Sequence, residues 1–504
     1  MILAIDQGTT GTSAIVFDEQ AEPIGRAYRE FAQQFPRPGW VEHDAREIWQ
    51  VTHAVAGEAL QDAGALPGDL AALGIANQRE TVCVWDPLSG EPLHAAIVWQ
   101  DRRTAQRCDE LRAQGREPLV RARTGLVLDP YFSASKMQWL LEHVEGLRER
   151  AEDGRAMFGT IDSWLLFKLT GEHVTDATNA SRTMLYDIAS GSWDAELLDL
   201  FGVPERALPR VQASAGPFGL TRAEALHGHA VPVTGVAGDQ QASLFGHACV
   251  DPGMGKNTYG TGSFVLVNTG YEPPPAPRGL LATVACAVGQ SRAYALEASI
   301  FVTGAAVQWL RDELGLIERA EQTESLARGL DDNGGVYFVP ALTGLGSPYW
   351  DAHARGTIVG LTRGSGRAHL ARAALEAIAY QTVDAVRAIE SAAGEPLSEL
   401  RADGGASTNG WLMQFQADVL GTPVVLGRMT ETTALGAAYL AGVGADLWSL
   451  SDVRALAGVE RRGQRDEDRA AGDGRRYEPR IDADERARLL AGWADALRRA
   501  RSSD

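Results

Sequence analysis

Two segments of this 504-residue chain pair small turn residues with a nearby acidic side chain. The first is Asp6-Gln7-Gly8-Thr9-Thr10-Gly11-Thr12. The second, Asn257-Thr258-Tyr259-Gly260-Thr261-Gly262-Ser263, lies about half a chain further on. Glycines let the main chain approach a ligand, and turn N–H groups with Thr hydroxyls are good phosphate donors. Asp6 closes a short apolar run and could hold Mg²⁺, directly or through water. Each segment alone also reads as a plain hairpin; two of them fit a phosphate tail gripped from two sides. Asp239 follows the apolar run 231–236 and precedes a helical stretch. It reads either as a helix cap or as a general base taking a proton from an attacking hydroxyl, and spacing does not choose. Asp403-Gly404-Gly405-Ala406-Ser407-Thr408-Asn409 is a third glycine turn, either a tight connection or a surface for a flat base. Gly304 and Gln308 share one helical face. Arg79-Glu80 is a charged pair between apolar strands, a solvated turn or a polar grip. Trp99, Tyr131 and Phe264 read as core aromatics or as walls of a pocket.

The elements that must hold these residues follow from periodicity. Ile2–Ile5 and 14–17 read as the two arms of a hairpin around the first glycine turn. Asp44 with Glu47 resembles a capping box, followed by Ile48, Val51 and Val55 on one helical face. Strands at 73–76 and 81–85 bracket Asn77-Gln78-Arg79-Glu80. Met137, Leu140, Leu141 and Val144 have helical spacing, as does 412–420. Strands alternating with helices imply α/β layers. The two Gly/Thr hairpins suggest two related domains facing a common cleft, 1–248 and 249–504. Residues 457–482 are dense in charge and glycine and read as a solvated loop. Residues 483–501 read as an amphipathic helix with Leu489, Leu490, Trp493 and Leu497 on its docked face.

Composition narrows the function. Lys plus Arg number 47 against 66 Asp plus Glu, a net charge of −19. Such a field disfavours nucleic acid and acidic membrane surfaces, so an anionic ligand must be met by local donors or a metal. The first residues lack the marks of a signal peptide, and no apolar run is long enough to span a bilayer. Four cysteines, none in a C-x-x-C pair, fit a reduced, cytoplasmic compartment and argue against a zinc site. P-loop, protein-kinase, zincin, α/β-hydrolase and dinucleotide-fold motifs are all absent.

Several segments together resemble the FGGY carbohydrate kinases of the actin/Hsp70/sugar-kinase superfamily. Residues 131–140 (Tyr131-Phe132-Ser133-Ala134-Ser135-Lys136-Met137-Gln138-Trp139-Leu140) look like one family signature, and Gly356-Thr357-Ile358-Val359-Gly360-Leu361 through Ala373-Ala374-Leu375-Glu376 like the other. Asn77-Gln78-Arg79-Glu80-Thr81, residues 97–104, 159–165, 238–241, 257–264 and 413–418 resemble the branch that acts on glycerol. The resemblance implies two ribonuclease-H-like domains flanking a central cleft, and ATP-dependent phosphorylation of glycerol to sn-glycerol 3-phosphate. By matched position, Arg79, Glu80, Tyr131, Asp239 and Gln240 would bind the triol, with Trp99 and Phe264 as walls. Asp239 would be the general base and Asp6 would serve Mg²⁺. Thr9, Thr10, Gly11 and Thr261 would meet phosphates, while Gly304, Gln308, Gly405 and Asn409 would lie along the nucleotide. The expected partners are glycerol and ATP, with neither nucleic acid nor a membrane span, and a homo-oligomer is compatible. Two departures stand out: Ser13 where the family usually has Arg, and His227-Gly228-His229-Ala230 in place of a glycine-rich inhibitor loop. The rival readings are a kinase for another small polyol or ketose and a catalytically silent nucleotide-binding regulator.

Overall fold

The computed structural model describes residues 1–458 and 476–502. Thirteen strands form the main sheet: β1 (Ile2–Gln7), β2 (Gly11–Phe17), β3 (Pro23–Glu30), β4 (Ala72–Asn77), β5 (Ala215–Leu220), β6 (Pro232–Gly238), β7 (Met254–Tyr259), β8 (Ser263–Gly270), β9 (Leu281–Val288), β10 (Ser291–Ile300), β11 (Glu399–Asp403), β12 (Val424–Leu426) and β13 (Arg476–Tyr477). Their order is β13-β12-β11-β7-β8-β10-β9-β5-β6-β4-β1-β2-β3.

This order contains one pattern twice. In the first half, β3, β2 and β1 run antiparallel to one another, and β4 and β6 then add in parallel. In the second half, β10, β8 and β7 run antiparallel, and β11 and β12 add in parallel. The two units meet through β5 and β9 at a single residue pair, Ala215 with Val288. The fold is therefore α/β with two ribonuclease-H-like units side by side. In both, the opening hairpin carries one of the glycine-threonine turns, so each turn sits at a strand end facing the cleft.

The parallel strands are buried on both faces, as their apolar runs require. Their covering elements differ in chemistry. Ala45–Asp62 buries Ile48 and Val55 on one side of the first unit. The other side is covered by Thr432–Gly444, a helix from late in the chain, whose sequence Thr-Thr-Ala-Leu-Gly-Ala-Ala-Tyr-Leu-Ala-Gly-Val-Gly has small residues almost throughout. Small size is needed because the backbones touch. A Cβ on Gly74 of β4 or Gly235 of β6 would strike the backbone of Ala437 or Ala441. One on Gly436 would strike the Ala242 carbonyl oxygen of the helix Asp239–Gly246.

A second, four-stranded sheet is built from one strand before β4 (Glu42–His43) and three after it (Ala96–Ile97, Val82–Trp85, Met157–Thr160). It sets the exits of Arg79-Glu80 and Trp99. The expected helix near 137–144 is Ser133–His143, with Val144 as its cap residue. The terminal helix is Ala483–Ala500. Leu489, Trp493 and Leu497 are buried and Leu490 is partly so, with Trp493 stacked on Tyr380 at 5.3 Å. The loop reading of 457–482 needs correction at its end. Arg476 and Tyr477 pair with β12, held by Arg476 to Glu399 at 2.9 Å. Residues 459–475 lie outside the described residues. Among the described residues, no helix is long and apolar enough to cross a membrane, and all four cysteines are free thiols.

The backbone contact under Thr432–Gly444 makes Gly436 a sensitive position. Gly436→Val is expected to cost about 2–3 kcal/mol by overpacking, read as a lower denaturant midpoint with the slope unchanged.

Candidate active site

β4 ends at Asn77, and the chain turns sharply before Val82–Trp85. The turn is not a solvated one: Arg79 and Glu80 are 3% and 1% exposed. Glu80 has φ of +63°, a left-handed conformation that costs a non-glycine residue about 1–3 kcal/mol. It is held there by its carbonyl, which accepts from the Ser133 hydroxyl at 2.9 Å, and by its carboxylate, which accepts from Arg182 Nε at 2.7 Å. Gln78 ties the same turn to the first hairpin, its backbone N–H donating to the Gln7 carbonyl at 2.7 Å.

Arg79 is the hub. It donates to Glu297 at 2.6 Å and to the side-chain oxygen of Gln241 at 3.3 Å. It also reaches the Tyr131 hydroxyl at 3.4 Å and pairs with Asp239 at 3.3 Å. Its guanidinium lies 5.9 Å from the Phe264 ring centre. Arg182 completes the set, contacting Glu297 at 3.1 Å. Trp99 packs edge-on to Tyr131 at 5.5 Å, and its indole N–H donates to the Thr9 hydroxyl at 3.0 Å. Thus Thr9, Trp99, Tyr131, Arg79, Glu80, Asp239 and Phe264 form one connected cluster, drawn from both units.

Asp239 is not a helix cap. Gly238 occupies that position, and Asp239 is the first helical residue, half-buried, its carboxylate accepting from the Gln240 backbone N–H at 2.7 Å. Burial raises its pKa above the usual carboxylate range, while Arg79, that N–H and Lys256 oppose the shift. Burial pushes Asp6 up to about 7, with the charge of Asp239 adding to it. Two carboxylates that repel each other in a cleft suit a divalent cation that keeps water and phosphate oxygens as its other ligands. Among the described residues, no group of three or more acidic, His or Cys side chains forms a closed metal cage. Burial alone would raise Glu297, but Arg182 and Arg79 hold its carboxyl down at about 2.

The other expected residues collect around the second turn. Gly304 donates its N–H to the Gly260 carbonyl at 3.0 Å, and Thr303 and Ala305 donate to Thr261 at 2.9 and 3.1 Å. This seats the start of the helix Gly304–Asp312 on the hairpin, with Gln308 exposed one turn along and Thr261 exposed near the tip. Gly404 has φ of +85° and lies against the backbone of Tyr259, which brings the Gly405 turn to the same place. Asn409 is already occupied. Its oxygen caps the helix Gly410–Leu420 and its amide donates to Thr323 at 3.3 Å. Gln308 is joined to the Arg79 cluster through this hairpin. The turn leading to Gly405 and Asn409 is also tied to the helix Asp239–Gly246, because Asp403 accepts from the Ser243 hydroxyl at 2.9 Å. In the first turn, Thr10 is exposed, and Gly11 is buried against the Tyr28 ring. Ser13 lies opposite Asp6 in the β1–β2 register.

Sequence reasoning missed Arg182, Gln241, Lys256 and Glu297. A signal existed for two of them. Glu297 is a charge inside the largely apolar strand Ser291–Ile300, and Lys256 is a charge on the mixed strand Met254–Tyr259 directly before the second glycine turn. Such side chains are almost never fully buried unless paired. Both are 0% exposed.

Comparison with known proteins agrees with this architecture. The N-terminal domain of the FGGY family of carbohydrate kinases matches residues 1–246, and the C-terminal domain matches 255–445. A glycerol kinase of Deinococcus radiodurans is 54% identical, covering 99% of this chain and 97% of its own length. One from Trichlorobacter lovleyi is 58% identical over 89% of this chain and 90% of its own. The crystal structure of Plasmodium falciparum glycerol kinase with ADP is 35% identical, with a TM-score of 0.93 over 100% of this chain and 98% of that one. With both domains matched in order and across the length that carries the cleft, this chain belongs to the FGGY family of carbohydrate kinases.

Proposed function

We propose that this protein transfers the γ-phosphoryl group of ATP to a terminal hydroxyl of glycerol, giving sn-glycerol 3-phosphate. The observation that carries the reading is the fixed Arg79 guanidinium, presented between Asp239 and Tyr131 under the Phe264 ring. A small, uncharged triol needs such a donor and acceptor pair at set distance, with apolar walls that exclude longer sugars. The names of the relatives at 54% and 58% identity support the same substrate.

In this reading Arg79, Glu80, Tyr131 and Gln240 orient the hydroxyls, and Trp99 and Phe264 wall the carbon face. Asp239, with its raised pKa, takes the proton from the attacking hydroxyl as that oxygen bonds to the γ-phosphorus and ADP leaves. Thr9, Thr10, Gly11 and Thr261 meet the phosphates, and Gly304, Gln308 and Gly405 line the nucleotide, with Asn409 beside them holding the start of the helix Gly410–Leu420. Mg²⁺, served by Asp6 through water, supplies charge neutralisation on the phosphate oxygens. The domain boundary belongs near residue 248, and the enzyme works in the cytoplasm.

ATP consumption with Mg²⁺ across glycerol, dihydroxyacetone, erythritol, xylulose and gluconate should be dominated by glycerol. A different preferred acceptor moves the specificity, and no turnover on any of them ends the kinase reading. Asp239→Asn should cut kcat about 100-fold or more while ADP binding by calorimetry stays within about threefold. An unchanged kcat removes Asp239 from the role of base. Arg79→Ala should raise the glycerol KM and also cost about 3–5 kcal/mol, because Glu297 would be left buried without its Arg79 partner; a shift confined to ATP refutes the assignment. Asp6→Ala should raise the Mg²⁺ concentration for half-maximal rate, and an unshifted Mg²⁺ titration would remove Asp6 from the metal.

A further inference from the structure

Lys256 has no part in the reading above, yet it lies at the centre of the cleft. It stands on β7, fully buried, two residues before the second hairpin's Thr258. Its ammonium donates to the Gln240 side-chain oxygen at 2.5 Å and to the Thr258 hydroxyl at 2.7 Å. Gln240 belongs to the first unit and is the neighbour of Asp239. One buried cation therefore joins the acceptor side of the cleft to the phosphate side. Its surroundings are mixed: burial works against its charge, Asp403 and Asp239 favour the ammonium, Arg79 opposes it, and Glu297 favours it. Asp403 accepts from Ser243, His247 and Thr432 on one carboxylate oxygen, its other oxygen is buried without a hydrogen-bond partner, and it acts on Lys256 through charge.

An ammonium can only donate, and an amide has one accepting end and one donating end. Contact with Lys256 therefore fixes which end of Gln240 is which. The oxygen is committed to Lys256, and the N–H₂ end is left for a ligand. We infer that Lys256 is a positioning residue: it orients the Gln240 amide so that Gln240 meets the acceptor polyol as a hydrogen-bond donor. This rests on the reading of Gln240 as a polyol contact. It makes Gln240 a group that recognises an oxygen lone pair, complementary to Asp239, which accepts. Without Lys256 the amide is free to turn over and present the wrong end.

A double-mutant cycle tests this. Lys256→Met and Gln240→Ala should each raise the glycerol KM about tenfold, the value of roughly one hydrogen bond. Gln240→Ala should change kcat less than about threefold. Lys256→Met should lower kcat at neutral pH and regain it at higher pH, because Asp239 loses a charge that opposes its raised pKa. In both, the ADP Kd should stay within about twofold. Because Lys256 acts through Gln240, the double variant should be no worse than the poorer single. A product of the two effects, an unchanged KM in Lys256→Met, or an ADP Kd moving in step with KM would each overturn the inference. If Lys256→Met lacks the native melting transition, Lys256→Gln, one bond shorter in reach, takes its place in the same cycle, and the same KM and Kd outcomes decide it. Should the wild-type enzyme prefer another acceptor, the functional reading fails, and the cycle is run on that acceptor instead.

Discussion

The pairing of Arg79 with Glu297 sets the geometry of the cleft. Arg79 comes from the turn after β4 in the first unit, and Glu297 from β10 in the second, 218 residues away. Both are buried, so neither has water to fall back on, and removing either leaves an uncompensated charge. Arg182 and Glu80 extend the pair into an alternating set, which fixes the guanidinium in one plane rather than merely neutralising it. A flexible side chain becomes a rigid donor, and Tyr131, Asp239 and Phe264 are arranged about it. The strained backbone at Glu80 is tolerated because the same network over-determines it.

Asp239 gains its character from where its helix begins. Gly238 takes the capping position, with its N–H accepted by the Thr178 hydroxyl at 2.9 Å, so Asp239 is spared that task and its carboxylate stays at the mouth of the cleft. Burial lifts its pKa, and Arg79, the Gln240 N–H and Lys256 oppose the lift. That balance, and the repulsion felt by Asp6, leave the site with two carboxylates whose pKa values both lie above the ordinary range.

Much of the fold was legible in the sequence because it is built from local signals. The hairpin β1–β2 announces itself by apolar runs around Gly8-Thr9-Thr10-Gly11, and the same signal repeats at β7–β8. Helices with a strong apolar stripe, such as Ala45–Asp62 and Ala483–Ala500, fall where their periodicity puts them. What was not legible depends on partners far away in the chain. Nothing near Arg79 says that Glu297 will meet it, so a buried pair read equally well as a solvated turn. Glu297 carried only the weak hint of a charge within an apolar run, and Lys256 only that of a charge in a strand leading into a glycine turn. The strand Arg476–Tyr477 is two residues long and exists because β12 offers it an edge, which no local pattern encodes. Asn409 shows the reverse case: its cap role follows from local rules, and the family resemblance drew attention away from it.

The helix Thr432–Gly444 has a bearing on how the molecule comes to be made. It closes one face of the first unit's sheet, over Gly74 and Gly235, yet it leaves the ribosome some 198 residues after the helix Asp239–Gly246, the last element of that unit. At ordinary rates of synthesis that interval is about 10–40 s. During it, β4 and β6 lack their cover on a face that carries only small residues such as Ala72, Gly74, Ala76, Gly235 and Ala237, and the first unit is a half-covered sheet rather than a finished domain. The order of translation and the order of burial are thus out of step, and the face over Gly74 and Gly235 can be closed only once residues 432–444 have been made.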